Sequence, residues 1–279
     1  MKFVKMHGAG NDYIYIDCFR QTVEDPENLA REISDRHFGI GGDGMILIEP
    51  SKHADVKMRI FNADGSEAEM CGNGVRCVAK YAFDHGLVDR TEITIETGAG
   101  NLPLVMYPNH RDHIDKVRVN MGRPRLRRAD LPMVGAPDEQ VLDMDLTVLD
   151  RTFQITCVSM GNPHCVIYVE DLDNFPVRRY GYAIENHDLF PRRINVEFVE
   201  IISRDEVRQR TWERGAGETL ACGTGSSAVT VAGVLTGRTN GKLLNHLTGG
   251  DLEMEWDGRN DVFMTGPAVE VFSGEYVPR

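Results

Sequence analysis

The 279 residues suffice for one large or two ordinary domains, and at 41% apolar content they can bury a sizeable core. A net charge of −12 excludes nucleic acid as the expected partner, because phosphate neutralisation needs a basic surface. No run approaches the length of a membrane-spanning helix, and the opening MKFVKMHGAGNDY has no apolar signal region, so a cytoplasmic protein with no membrane partner is expected.

In chain order, FVKMHG (3–8), YIYID (13–17), MILIEP (45–50), VKMRIFN (56–62), EITIETG (92–98), LPLVMY (102–107) and KVRVNM (116–121) read as strands from alternation or β-branched content. A helix begins at Asp25 with Pro26 in its first turn and stops before Gly39. A second helix runs from about Asn73 to Gly86. The later strands are TFQITCV (152–158), CVIYVE (165–170), NVEFVEII (195–202), VRQRTWE (207–213), LLNHLTG (243–249), LEMEW (252–256) and VFMTG (262–266). Another helix spans about Thr224 to Gly237, and AVEVF (268–272) adds a last strand-like run. The helix TGSSAVTVAGVLTG carries no charge on any face, so it is buried on all sides.

The chain repeats itself. MCGNGVRCV (70–78) lies over ACGTGSSAV (221–229) at an offset of 151 (222 − 71). At the same offset Gly10-Asn11 falls on Gly161-Asn162, Asp55–Phe61 on Glu206–Trp212, Glu67 on Glu218 and Thr97-Gly98 on Thr248-Gly249. Gly44 falls on Asn195, and Asn62 on Glu213. Residues 1–122 and about 151–266 are therefore expected to be two copies of one domain. The connector 123–150, marked by Pro124, Pro132, Gly135 and Pro137, groups with the second copy as a lobe 123–266, and the tail 267–279 joins the first. Its basic stretch RPRLRR (123–128) reads as solvated linker. Many short strands with one fully buried helix per copy give the expected class: α+β, two pseudo-symmetric lobes, each a curled, barrel-like sheet around a central helix.

Of the six cysteines, Cys18, Cys77, Cys157 and Cys165 read as buried structural thiols; no CxxC pair or zinc-like spacing occurs, and no metal is expected. Cys71 and Cys222 differ, because each precedes a Gly-x-Gly turn at the start of its copy's buried helix. The first turn of a helix presents unpaired N–H groups and a partial positive charge, which hold an anion and draw a cysteine toward thiolate. For one copy, a capping turn beside a buried cysteine is the simpler reading. Two equivalent copies facing each other about a pseudo-twofold axis would set two thiols on either side of one carboxylate-bearing Cα. One thiolate would remove the Cα proton and the opposite thiol would return one to the other face, inverting the centre.

With KMHGAGND (5–12), FGIGGDG (38–44), FNADGSEAEMCGNGVRC (61–77), MGNPHC (160–165), INVEFV (194–199), WERGAGETLACGTGS (212–226) and MTGPA (264–268), the whole chain resembles the diaminopimelate epimerases. The resemblance implies a cofactor-independent isomerase that interconverts LL- and meso-diaminopimelate for lysine and peptidoglycan synthesis. It implies Cys71 and Cys222 as the acid/bases and His164 and Glu213 as modulators of their pKa values. The reacting carboxylate would be held by Gly72, Asn73, Gly223 and Thr224. Asn11, Asn62, Asn162, Asn195, Glu213 and Arg214 would make the remaining substrate contacts, and by family analogy a homodimer is expected. Gly44 departs from the family, many of whose members carry Gln there, so no side-chain contact is assigned to it. Two alternatives stand beside this reading. A proline racemase or hydroxyproline epimerase would carry His at the place of Asn73 and Ser-Pro before the second cysteine, where this chain has LACGTG. A non-catalytic anion-binding or thiol-redox protein would exchange no Cα proton.

Overall fold

The computed structural model describes residues 1–277. Their backbone separates by contact into two compact units: Met1–Asn120 with the stretch from Thr265 onward, and Met121–Met264.

In the first unit the order is β1 (Lys2–Gly8), β2 (Asn11–Asp17), α1 (Pro26–Ser34), β3 (Gly44–Glu49), β4 (Val56–Asn62), β5 (Glu67–Ala68), α2 (Gly72–Asp84), β6 (Glu92–Thr97), β7 (Gly100–Pro108) and β8 (Ile114–Gly122). The second unit follows with β9 (Met144–Val148), β10 (Arg151–Ser159), β11 (Pro163–Tyr168), α3 (Val177–Glu185), β12 (Asn195–Ser203), β13 (Glu206–Glu213), β14 (Gly217–Thr219), α4 (Gly223–Leu235), β15 (Lys242–Leu247), β16 (Gly250–Glu255) and β17 (Val262–Pro267). The last strand, β18 (Val269–Glu275), returns to pair antiparallel with β1.

The two units share one pairing scheme. β1–β2 and β10–β11 are antiparallel hairpins, and β2∥β3 and β11∥β12 are parallel pairs joined across a helix. Antiparallel β3–β4 corresponds to β12–β13, and parallel β4∥β6 to β13∥β15. The register is the same as well: Tyr13 opposite Gly44 in one unit is His164 opposite Asn195 in the other. Strands from both ends of each sheet touch the central helix, α2 meeting β1, β2, β4, β6 and β7, and α4 meeting β10, β11, β12, β15 and β16. Each sheet therefore curls around its helix, giving the α+β class. α4 is buried from Gly223 to Gly233 save Thr224, as its lack of charge requires. α2 is buried from Asn73 to Ala82 although it carries Arg76 and Lys80; Lys80 Nζ donates to Asp84 Oδ2 (2.7 Å) and to the Ile114 carbonyl (2.6 Å).

Local sequence explains the element ends. Asp25 caps α1, accepting from the Asn28 N–H at 3.3 Å, and Pro26 occupies the first turn. The helix stops at Ser34, short of the boundary expected near Gly39, because Asp35 Oδ1 takes the N–H groups of His37 (2.7 Å) and Phe38 (2.8 Å) into a turn. α2 and α4 each start one residue before the sequence reading and end before Gly86 (φ +71°) and Gly237 (φ +70°). α3 is not among the helices read from the sequence; its N-cap is Pro176, which offers no capping side chain. The connector is more than a linker, since Leu131, Met133, Val141, Leu146 and Val148 enter the second unit's core beside Phe153, Phe175 and Phe198.

Gly44 sits where β2, β3 and β4 crowd together. A Cβ there would lie 2.2 Å from the Phe61 carbonyl oxygen and 2.9 Å from Tyr13 Cε1. A side chain at this position would need the surrounding backbone to shift. Gly44→Ala is expected to lower stability by about 1–3 kcal/mol through overpacking. Denaturant unfolding measures it, and an unchanged midpoint would contradict the crowding.

Candidate active site

Each central helix begins on a cysteine, and the geometry is the same twice. Cys71 caps α2 with φ −140° and ψ 115°, and its Sγ accepts from the Gly74 N–H at 3.4 Å. Cys222 caps α4 with φ −130° and ψ 109°, and its Sγ accepts from the Gly225 N–H at 3.4 Å. Both occupy the place that Ser, Thr or Asp usually takes, with sulfur as the acceptor. The glycines are needed because the sheet presses on the helix start: a Cβ at Gly74 would meet Ile46 Cδ1 at 2.7 Å, and one at Gly225 would meet Glu197 Oε1 at 2.7 Å.

Around Cys71 the first unit gathers Asn11, Gly72 and Asn73. The thiol donates to Asn11 Oδ1 at 3.3 Å, and Asn11 Nδ2 is held by Asp43 Oδ2 at 2.7 Å. Asp43 also accepts from the Asp12 N–H (3.1 Å) and pairs with Arg36 (3.0 Å). Asn73 is buried with its Oδ1 taken by Arg76 Nη2 at 2.9 Å, which leaves its backbone for the helix start. At the end of β4 the Asn62 amide donates to Ser66 Oγ at 3.0 Å.

Around Cys222 the second unit gathers a longer series. Thr224 Oγ1 is 3.4 Å from Cys222 Sγ and accepts from Asn162 Nδ2 at 3.2 Å. Asn162 Oδ1 is 3.0 Å from His164 Nε2, and His164 Nδ1 is 2.8 Å from Glu197 Oε1. Asn195 bridges the Pro163 carbonyl (2.8 Å) and the Arg214 N–H (2.9 Å). Glu213 Oε1 accepts from Thr219 Oγ1 at 2.6 Å, while the Arg214 guanidinium reaches the Arg192 carbonyl at 3.2 Å. Among the described residues no three His, Cys, Asp or Glu side chains converge so as to hold a metal ion.

Electrostatics correct one expectation. The helix start was expected to draw both cysteines toward thiolate, but the Cys222 thiol lies well above the ordinary range. Burial is the largest cause, followed by the carboxylates of Glu213 and Glu197; the Thr224 hydroxyl and Gly225 N–H oppose them without prevailing. Burial, with Cys71 next, also pushes the Tyr13 phenol up.

Tyr13, Asp43 and Glu197 were not among the site residues read from the sequence. Tyr13 is the repeat partner of His164, so the offset contained that signal. Glu197 is an acid between Val196 and Phe198 in the buried first half of β12, and an acid among apolar neighbours is a signal in itself. Asp43 gives none, since an Asp in a Gly-rich loop reads as turn chemistry.

The sequence profile of the family described as diaminopimelate epimerase matches residues 3–127 and 156–271. The chain belongs to this family. A diaminopimelate epimerase of Agathobacter rectalis is 54% identical over 282 residues, covering 99% of each chain, and one of Acetivibrio thermocellus is 52% identical over 277 residues, covering 99% of this chain and 98% of that one. Among solved structures, a PhzF-family phenazine biosynthesis protein of Bacillus anthracis superposes with a TM-score of 0.71 at 18% identity, covering 100% of this chain and 99% of the other. A probable proline racemase from Agrobacterium radiobacter gives 0.69 at 17% identity, covering 99% and 92%. These two share the fold.

If Cys222 is held as a buried thiol, its reaction with iodoacetamide will follow a pH profile centred above the ordinary cysteine value of ~8.5. Peptide mass spectrometry after alkylation across a pH series reads this directly; a midpoint at or below that value contradicts the burial argument.

Proposed function

We propose that the protein interconverts LL- and meso-diaminopimelate with Cys71 and Cys222 as its two acid/base groups. The observation that carries this reading is the duplicated helix cap: two cysteines, each holding the N–H three residues on at 3.4 Å, each at the start of a buried helix. Family membership supplies the substrate and argues against the proline-type alternative, whose solved relatives stand near 17–18% identity.

The chemistry follows from the helix starts. A carboxylate held on the N–H groups of Gly72, Asn73, Gly223 and Thr224 meets donors aimed at charge that grows as the Cα proton leaves. One cysteine takes that proton as thiolate and the other delivers one as thiol to the opposite face. Burial and the Glu213 and Glu197 carboxylates favour the thiol form of Cys222, which suits the group that delivers the proton. In the other direction the roles exchange. Arg214 suits the distal carboxylate, which a guanidinium grips through two parallel hydrogen bonds. Asn11, Asn162 and Asn195 orient the amino groups; Asn62 carries a second amide hydrogen and a carbonyl, so its bond to Ser66 does not bar a substrate contact. The same reading includes a cytoplasmic homodimer acting without a cofactor.

In D₂O the purified protein is expected to place deuterium on Cα of diaminopimelate and none on Cα of proline. Cys71→Ala and Cys222→Ala should each lower epimerisation by about 10²–10⁴-fold, the range of a lost general acid or base. Absence of exchange by the wild-type protein under reducing conditions would overturn the reading, and exchange on proline alone would favour the racemase alternative.

A further inference from the structure

The two units act as internal controls for one another, and they differ beneath their helices. Positions 46, 58, 60 and 75 of the first unit correspond, at the offset of 151, to 197, 209, 211 and 226 of the second. The first set is Ile46, Met58, Ile60 and Val75; the second is Glu197, Gln209, Thr211 and Ser226, and all eight are buried. The fold thus accepts a wholly apolar floor, and in the second unit it carries a polar one. Glu197 is the costliest member. Its side chain is fully buried, Oε2 has no hydrogen-bond partner, and His164 is its ion-pair partner among the described residues. A buried carboxyl so sparsely satisfied lowers stability, so packing does not explain it.

We propose that Glu197 is a positioning residue for Cys222, acting through His164, Asn162 and Thr224. This rests on the two-thiol reading above. The direction of the chain follows from its atoms. The Asn162 carbonyl oxygen only accepts, so His164 Nε2, 3.0 Å away, donates to it. The 2.8 Å contact between His164 Nδ1 and Glu197 Oε1 needs a proton of its own. The pair therefore holds both protons and is neutral overall, whether the second resides on nitrogen or oxygen. With its carbonyl fixed on His164, the Asn162 amide presents N–H to Thr224 Oγ1 at 3.2 Å, and the Thr224 hydroxyl hydrogen is left for Cys222 Sγ at 3.4 Å. The chain delivers a donor to the sulfur as it becomes thiolate, opposing the burial and the Glu213 carboxylate that favour the thiol; the charge of Glu197, which acts in the same sense as Glu213, is offset by the proton it shares with His164. In the first unit Tyr13 and Ile46 stand at the places of His164 and Glu197: the Tyr13 phenol is hydrogen-bonded toward Asn11 and Cys71 with no carboxyl behind it at position 46, and Cys71 meets the Asn11 carbonyl.

The test is Glu197→Ile, which installs the residue the first unit uses. Its Cys222 alkylation profile is expected to move up by about one pH unit or more, with kcat falling about tenfold and KM within about twofold. A folded Glu197→Ile protein whose profile coincides with wild type overturns the proposal. So does a downward shift, which would make Glu197 a bare negative charge on the thiol. Thr224→Val and Thr224→Ser examine the last link without disturbing position 197. Val should raise the profile and Ser restore it, and a Val profile superimposed on wild type overturns the chain even if Glu197→Ile does not fold. Alkylation needs no substrate, so a wild-type protein without Cα exchange would refute the epimerase reading and leave this comparison intact.

Discussion

Everything at the site depends on how a helix starts when its body is wrapped by a sheet. The middles of α2 and α4 are shut off from water, while at their starts Cys71, Gly72 and Thr224 keep partial exposure. One of the helix's first N–H groups is given to a sulfur at each start, and the next ones are left facing outward from the cap. Burial of the helix therefore sets a cysteine sulfur beside the backbone N–H groups on which the proposed chemistry relies. The tight Gly-x-Gly follows from the same constraint, because Ile46 and Glu197 press against the third residue after each cap's cysteine from the sheet. Fold and chemistry are one requirement here.

The duplicated frame then allows divergence without structural risk. Strand pairing, helix limits and cap geometry are kept at an offset of 151, while the residues beneath the helices change from Ile, Met, Ile and Val to Glu, Gln, Thr and Ser. The two sulfurs are equivalent in backbone and unequal in surroundings. That inequality suits the proposed reaction, in which one group takes a proton and the other gives one. It also shows why a symmetric repeat does not guarantee symmetric chemistry: hydrogen-bond partners are set by single side chains, and the frame tolerates either kind.

Much of this was legible in the sequence. The repeat offset paired the two cysteines and their helices, because it draws on matches spread over a long stretch, while most strands showed in local alternation and β-branched content. The buried nature of α4 followed from its lack of charge. What escaped did so for local reasons. α3 has no capping side chain, β5 and β14 are too short to show alternation, and the end of α1 was decided by an Asx turn at Asp35. Within the site, the direction of the helix start's effect on Cys222 was read without the burial and the neighbouring Glu213 that outweigh it.

The position of β18 has a consequence for synthesis. The first unit is opened by β1 and completed only when β18 pairs with that strand, Lys2 lying opposite Glu275 and the Met1 amino group meeting the Tyr276 carbonyl at 2.7 Å. The second unit, Met121–Met264, is continuous in the chain. A ribosome releasing this polypeptide from the N-terminus thus finishes the later unit first, while the earlier one waits, its edge unpaired, for the last residues to emerge.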